Sequence, residues 1–254
     1  MGLLKRNVIR SLQTHVPGLW ERKHDIYNAL TANLGLMMGE EFKLLSRLDQ
    51  VGLVLDIGAN YGQSITAIQR CCDPEMIIAF EPLSHLAQRL EDKFARLGKV
   101  RIENCALANT EGELSFYVPK YGHAVLDGLA SLERSAITDW LENPALFWNY
   151  RPEKLSVIEN TVSVKTLDTF RLLPDVVKID VQGLEQSVVE GGIETFRACQ
   201  PLTIVEAPQQ SLVNLFRTIG MHAFGFAGGR LHEDWQGRPD VVFLSDAMRE
   251  RLAL

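Results

Sequence analysis

From residue 51 onwards, short apolar runs alternate with amphipathic segments of helical periodicity. The segments with helical periodicity begin near residues 62 and 84, cover about 184–196 and lie near 210–218. Parallel strands that are covered on both faces read as continuous apolar runs, and their alternation with helices is typical of a doubly wound sheet. The pattern predicts an α/β fold with a mostly parallel sheet whose strands are "LVLDIG", "MIIAFEP", "VRIENCAL", "DVVKIDVQG", "LTIVEA", "MHAFGF" and "PDVVFLS".

Two parts of the chain fall outside this alternation. Residues 1–50 contain no strand-like run and form a predicted N-terminal helical segment, so the main domain is expected over 51–254. Residues 119–160 form a long irregular insertion between "GELSFYV" and "NTVSVKTL", whose alternating pattern predicts an antiparallel pair. Loops of this length are usually lids or binding loops, although aromatic residues also pack such insertions onto a core. We predict a lid or substrate loop.

Composition narrows the classes of partner and compartment. The net charge of −6 argues against a general nucleic-acid binder, and we predict that no nucleic acid is bound. The four cysteines form no C-x-x-C pair, which favours idle thiols in a reducing compartment. No apolar run approaches the roughly 20 residues of a membrane span, and no signal-peptide pattern is evident, so the cytoplasm is the expected location. The basic and apolar residues of 1–23 suit a peripheral membrane helix, or a helix docked on the domain or on the second subunit of a homodimer.

The stretch "VLDIGANYGQSITAIQR" joins the first strand to a helix through a glycine-containing turn. It is not a phosphate-binding P-loop, because no lysine follows Gly62. It is not a dinucleotide fingerprint either, because Asn60 occupies the position of the second glycine, where a diphosphate approaches most closely. Glu81 ends the second strand 23 residues after Gly58, near the interval at which an acid binds a ribose diol. The ligand predicted here is a nucleoside without phosphates.

Five segments, in order over about residues 52–207, resemble the FkbM-type methyltransferases. The resemblance implies the Rossmann-like class I methyltransferase fold with a seven-stranded sheet, and S-adenosylmethionine as the cofactor. It also implies methyl transfer to a hydroxyl of a small-molecule or glycan acceptor, often a sugar or a polyketide. The segments are "VLDIGANYGQS", "AFEP", "IENCAL", "SVKTLDTF" and "KIDVQGLEQSVVEGG".

The resemblance also implies a cofactor site. The first strand and its turn would border the methionine part, Glu81 would bind the ribose, and the third strand would border the adenine. Three of these residues also have a structural interpretation: Asp56 as an acid near a helix N-terminus, Glu81 as a solvated acid at a strand end, and Asn104 as a turn residue. The predicted cofactor-binding residues are Asp56, Gly58, Asn60, Gly62, Glu81, Asn104 and Ala106.

Asp180 is the first candidate for the general base, because it ends a strand predicted to lie beside the first. Glu185 is the second; alternatively, Asp180 only binds substrate and Glu185 is a first-turn acid favoured by the helix dipole. The family commonly has an acid at the position of Gln182, and its absence here weakens any metal site, so none is predicted. The predicted acceptor contacts are Ser131, His123 and Glu206.

Two other functions are weighed against a hydroxyl methyltransferase. An NAD-dependent nucleotide-sugar oxidoreductase would use the Y-x-x-x-K sequence from Tyr150 to Lys154, but Pro152 interrupts a helix there. A catalytically inactive nucleoside-binding scaffold would have no need of the intact turn and its acids. The sequence therefore favours an S-adenosylmethionine-dependent O-methyltransferase acting on a sugar or glycan.

Overall fold

The computed structural model describes residues 19–132 and 151–253. The chain divides into two compact units, a larger one of residues 28–112 and 163–254 and a smaller one of residues 1–27 and 113–162. The helices of the described residues are α1 (Leu19–Leu34), α2 (Gln63–Cys71), α3 (Ser84–Phe94), α4 (Glu185–Glu190), α5 (Ile193–Cys199), α6 (Gln210–Thr218) and α7 (Asp246–Arg251). The strands are β1 (Leu53–Ile57), β2 (Met76–Phe80), β3 (Val100–Glu103), β4 (Ala106–Leu107), β5 (Gly112–Tyr121), β6 (Ala124–Val125), β7 (Leu155–Lys165), β8 (Val176–Ile179), β9 (Leu202–Glu206), β10 (His222–Ala227), β11 (Arg230–His232) and β12 (Asp240–Leu244).

The larger unit is built on one mixed sheet with the strand order β11-β10-β12-β9-β8-β1-β2-β3. The five strands from β9 to β3 pair in parallel, whereas β12 and β10 run antiparallel to their neighbours. The sheet has two hydrophobic faces: Val54 of β1 packs into one core cluster, and Leu55 and Ile57 pack into another. The predicted doubly wound α/β fold is confirmed.

The sheet has eight strands, so the prediction of seven is corrected. Gly228 and Gly229, with φ of +58° and +77°, form a two-residue turn that folds β11 back onto β10. Positive φ at both positions is typical of a tight hairpin turn. The three residues of β11 lack an apolar run, which is why the pattern did not reveal this edge strand.

The single helix predicted over about 184–196 is wrong, because the chain forms α4 and α5 with a break at Gly191 and Gly192. A Cβ at Gly191 would overlap the carbonyl oxygen of Ala108, and one at Gly192 would lie 2.7 Å from a methyl carbon of Leu167. The break lets this turn pack directly against the backbone after β4.

In the smaller unit, the predicted irregular insertion is strand at both of its described ends. β5 continues to Tyr121, an exposed turn at His123 leads to β6, and β7 begins at Leu155. Ser131 pairs with Tyr117 through two backbone hydrogen bonds of 2.8 and 3.0 Å. The last two residues of β7, Val164 and Lys165, belong to the larger unit and pair there with β4. The acceptor-binding roles of His123 and Ser131 stay predictions.

Two sequence predictions fall on segments outside the described residues. The aromatic part of the insertion, including Tyr150, lies there, as do most of residues 1–23, for which a membrane or subunit contact is predicted. Within the described ranges, no helix combines the length and the apolar character that crossing a membrane requires.

Candidate active site

A crevice of about 260 Å³ opens at the carboxyl ends of β1, β8 and β9. Its lining includes Gly58 and Asn60 after β1, Asp180 after β8 and Glu206 at the end of β9. The chain crosses from one side of β1 to the other between β3 and β8, so the crevice lies at the switch point where open α/β sheets bind ligands. It is smaller than the ~300–1,000 Å³ of a site for a whole drug-sized ligand, so it accommodates part of a larger one.

Gly58 fixes the spacing between the turns after β1 and β8. Its φ is +87°, and a Cβ there would overlap the carbonyl oxygen of Asp180. Gly62 begins α2 with a φ of +77°, where a Cβ would lie 2.8 Å from the ring of Phe94. Both glycines therefore serve close packing as well as the turn.

A non-glycine residue in the left-handed conformation follows each of the three strands that end at the crevice. Asn60 follows β1 with a φ of +48°, Gln182 follows β8 with +53°, and Ala207 follows β9 with +42°. Such backbone costs roughly 1–3 kcal/mol for each residue and is concentrated at functional sites. Its repetition here supports a ligand site.

Glu81 fixes the turn after β1 through its carboxylate. Its Oε2 accepts a hydrogen bond of 2.8 Å from the backbone N–H of Asn60, and its Oε1 accepts one of 2.9 Å from that of Leu83. The side chain is only 4% exposed, which excludes the interpretation as a solvated strand-end acid. Ribose binding by Glu81 stays a prediction.

Asn60 provides the polar atom that most directly indicates a bound ligand. Its amide oxygen is shielded from solvent and has no hydrogen-bond partner among the described residues, although the residue lines the crevice. A shielded polar atom without a partner is costly. A ligand with an N–H or ammonium donor, such as the amino group of S-adenosylmethionine, fits this position.

Asp56 lies beneath the crevice instead of lining it. Its carboxylate is fully buried, and one oxygen accepts a hydrogen bond of 2.6 Å from the hydroxyl of Ser64, which does line the crevice. Burial raises the pKa of Asp56 to about 6. Ser64 thus links Asp56 to the crevice, and direct contact of Asp56 with the methionine part stays a prediction.

Asn104 and Ala106 have structural positions: Asn104 stabilises the turn after β2, and Ala106 is the first residue of β4. The amide nitrogen of Asn104 donates to the carbonyl oxygens of Glu81 and Pro82 at 2.8 and 3.0 Å. Its amide oxygen accepts from the hydroxyl of Ser84 at 2.9 Å. Ala106 is buried in β4. These contacts match the alternative interpretation of Asn104 as a turn residue, and adenine binding by either residue stays a prediction.

Asp180 and Glu206 form a carboxyl pair in the crevice. The side-chain amide of Gln182 donates to Asp180 Oδ1 at 3.0 Å and to Glu206 Oε2 at 3.2 Å. A hydrogen bond with Asp180, burial and the charge of Asp180 together raise the pKa of Glu206 to about 8. Glu206 therefore keeps its proton at neutral pH.

Glu185 holds the loop between β8 and α4. Its Oε1 accepts hydrogen bonds from the backbone N–H groups of Gly183 at 3.0 Å and Val181 at 3.3 Å. It is absent from the crevice lining. This geometry agrees with the first-turn interpretation, and a catalytic role for Glu185 stays a prediction.

Sequence reasoning missed a buried ion pair in the crevice. Lys178 Nζ lies 3.1 Å from Asp240 Oδ1, and the lysine is 6% exposed. Burial lowers the pKa of Lys178, but the charges of Asp240 and Asp180 outweigh burial, and the pKa is raised. A lysine inside the apolar run "DVVKIDV" was the sequence signal for a buried charge on this strand.

Glu41 adds a further acid to the crevice lining. Burial raises the pKa of Glu41, and the negative charge of Asp240 raises it further. Acids from four separate elements therefore surround Lys178. Despite this, no group of three or more His, Cys, Asp or Glu side chains within residues 19–132 and 151–253 is arranged to hold a metal ion.

Replacing Lys178 by Met is expected to lower the free energy of unfolding by about 3–5 kcal/mol, because it leaves the buried acids without their cation. The matched control is Lys99→Met, which removes an exposed ion pair of 2.7 Å with Asp73. It should cost less than about 1 kcal/mol. Urea unfolding of both variants measures the difference, and equal losses would contradict a special role for the buried pair.

Comparison with known families decides between the methyltransferase and the oxidoreductase. The profile of the methyltransferase FkbM domain matches residues 56–226. The chain belongs to the FkbM methyltransferase family. The family and the class I methyltransferase fold predicted from the sequence are confirmed, and S-adenosylmethionine is the cofactor of this domain.

The chain also matches three solved structures at low identity. An FkbM methyltransferase from Methylobacillus flagellatus KT is 14% identical, with a TM-score of 0.46, over 92% of this chain and 49% of that one. An rRNA methylase from Streptococcus thermophilus is 11% identical, with a TM-score of 0.40, over 81% and 93% of the two chains. The precorrin-6y C5,15-methyltransferase of Geobacter metallireducens GS-15 is 13% identical, with a TM-score of 0.37, over 84% and 90%.

The present chain thus spans about half the length of the Methylobacillus protein. A comparison with curated protein sequences gives no match.

Proposed function

We propose that this FkbM domain transfers a methyl group from S-adenosylmethionine to a hydroxyl of a sugar or glycan. The observation that carries the proposal is the carboxyl pair of Asp180 and Glu206, which lies in the crevice next to the turn after β1. A hydroxyl is a poor nucleophile until its proton is removed, so an acid–base group beside the methyl donor is the element that this reaction needs.

The turn after β1 would hold the cofactor. Gly58 gives the backbone its close approach, the amide oxygen of Asn60 would accept from the amino group, and Glu81 would accept from the ribose hydroxyls. When bound, S-adenosylmethionine supplies a methyl group that is already activated by its positively charged sulfur. The protein therefore has to align the acceptor and move one proton.

Asp180 is the proposed base. Its carboxylate takes the proton of the acceptor hydroxyl while the new O–CH₃ bond forms and the S–CH₃ bond breaks. Glu206, protonated at neutral pH because its pKa is about 8, and the amide of Gln182 hold Asp180 in place by hydrogen bonds. After transfer, the oxygen is neutral and its proton resides on the carboxyl pair, from which water removes it.

The acidic lining supports a polyol as the acceptor. The carboxyl groups of Asp180, Glu206 and Asp240 offer several oxygens that can hydrogen-bond to neighbouring hydroxyl groups. They would repel the phosphates of a nucleic acid, in agreement with the net charge of −6. The absence of nucleic-acid binding, the homodimer and the cytoplasmic location remain predictions.

The test is a transfer assay with tritiated S-adenosylmethionine on parallel panels of glycans, small alcohols and RNA. We expect label in carbohydrate, and Glu81→Ala should weaken cofactor binding measured by calorimetry. Label confined to RNA would overturn the proposed acceptor. Tight cofactor binding without transfer to any panel would favour the inactive scaffold.

A further inference from the structure

Three large apolar side chains next to the crevice are exposed to solvent. Leu34, Leu36 and Met37, here called the apolar rim, are 62%, 53% and 55% exposed. Met37 also lines the crevice together with Met38. The apolar rim therefore reaches the acidic site through Met37, and exposed apolar clusters of this kind usually mark a binding surface.

The apolar rim is held in place by the end of α1. The hydroxyl of Thr31, which is buried, donates to the carbonyl oxygen of Leu36 at 2.7 Å. The N–H of Gly35 donates to the carbonyl oxygen of Thr31 at 2.9 Å. Met37 adopts a φ of +66°, an unfavourable conformation for a residue with a side chain. This strained backbone places the side chain of Met37 in solvent at the crevice.

A protein partner and a membrane surface each fit the apolar rim less well than an apolar group of a bound ligand. Three side chains cannot supply the ~800 Å² that each partner of a stable protein interface buries. A membrane surface attracts Lys and Arg, whereas the exposed lysine that follows the rim, Lys43, is already paired with Glu40 at 3.5 Å. An apolar group attached to the molecule in the crevice needs neither a large area nor a positive charge.

We infer that the acceptor is an amphiphile, with a polyol in the acidic crevice and an apolar chain or aglycone that packs on Leu34, Leu36 and Met37. This inference rests on the proposed function and adds a substrate class to it. The polar part is recognised by the carboxylates of the lining, and the apolar part gains affinity by leaving water. Glycans without an apolar group would then be poor acceptors.

The test uses protein labelled with ¹³C at the methionine methyl groups and saturated with S-adenosylmethionine. The probes are octyl β-D-glucopyranoside, kept below its micelle concentration, and methyl β-D-glucopyranoside. We expect the methyl resonances of Met37 and Met38 to shift with the octyl glucoside at concentrations about tenfold or more below those needed for the methyl glucoside, since two buried methylene groups already give that factor. Variants Met37→Leu and Met38→Leu assign the two resonances.

Leu36→Ser and Met37→Gln should each weaken binding of the octyl glucoside about fivefold. The matched control is Leu173→Ser, since Leu173 is 75% exposed but absent from the crevice lining. Equal shifts with both glucosides, or equal effects of all three variants, would overturn the apolar rim as a substrate site. Calorimetry distinguishes the two proposals. If the parent protein does not bind S-adenosylmethionine, the proposed function is refuted. If it binds the cofactor but the octyl glucoside does not move the Met37 and Met38 resonances, the inference is refuted.

Discussion

Asp180→Asn is expected to lower kcat by about 10²–10⁴-fold, the usual contribution of a positioned acid or base. The amide keeps the size of the side chain but cannot take the proton of the acceptor hydroxyl. Binding of S-adenosylmethionine should be unchanged, because the cofactor is held by the turn after β1. Single-turnover methyl transfer, with cofactor affinity measured by calorimetry, separates the two effects.

Glu206→Gln is the control for Asp180→Asn, because Gln resembles the protonated carboxyl that Glu206 carries at neutral pH. It should retain most of the activity at pH 7. In the parent protein the rate of methyl transfer should fall as the pH rises through about 8, because Glu206 then loses its proton and repels Asp180. This fall should be missing in Glu206→Gln. Full activity of Asp180→Asn at pH 7 would exclude Asp180 as the base.

The fold could be predicted from the sequence because the central strands of the large sheet are buried on both faces. The runs that became β1, β2, β8 and β9 are mostly apolar, and helices separate them at the spacing of a parallel sheet. The features of the fold that the sequence did not predict depend on contacts between distant segments. The break between α4 and α5 exists because Gly191 packs on the backbone of Ala108, and a local helical pattern carries no trace of such a contact.

The sequence predicted the candidate site only where a reactive side chain stands at the end of a strand. Asp180 and Glu206 end their strands and indeed meet in the crevice, whereas Glu185 and Asn104 turned out to hold backbone turns. Lys178 and Asp240 are 62 residues apart and meet because β8 and β12 both flank β9. Their pairing follows from strand order, which the sequence of either strand alone does not contain.

Gly58→Ala is expected to lower the free energy of unfolding by more than about 4 kcal/mol, a loss reached by few substitutions. The control is Gly98→Ala, because Gly98 has a φ of +64° but nothing within 4 Å of an added Cβ. That variant carries only the backbone penalty of roughly 1–2 kcal/mol for a left-handed residue. The difference between the two in urea unfolding therefore measures the contact of Gly58 with the carbonyl oxygen of Asp180.

The same contact links the stability of the sheet to its chemistry. The backbone of Asp180 can lie against Gly58 only while no side chain intervenes, and this contact sets how near the proposed base comes to the turn that holds the methyl donor. In Gly58→Ala the strands β1 and β8 must separate at their carboxyl ends, so protein that remains folded should also lose methyl transfer. A variant with normal transfer and near-normal stability would show that the two turns are not in direct contact.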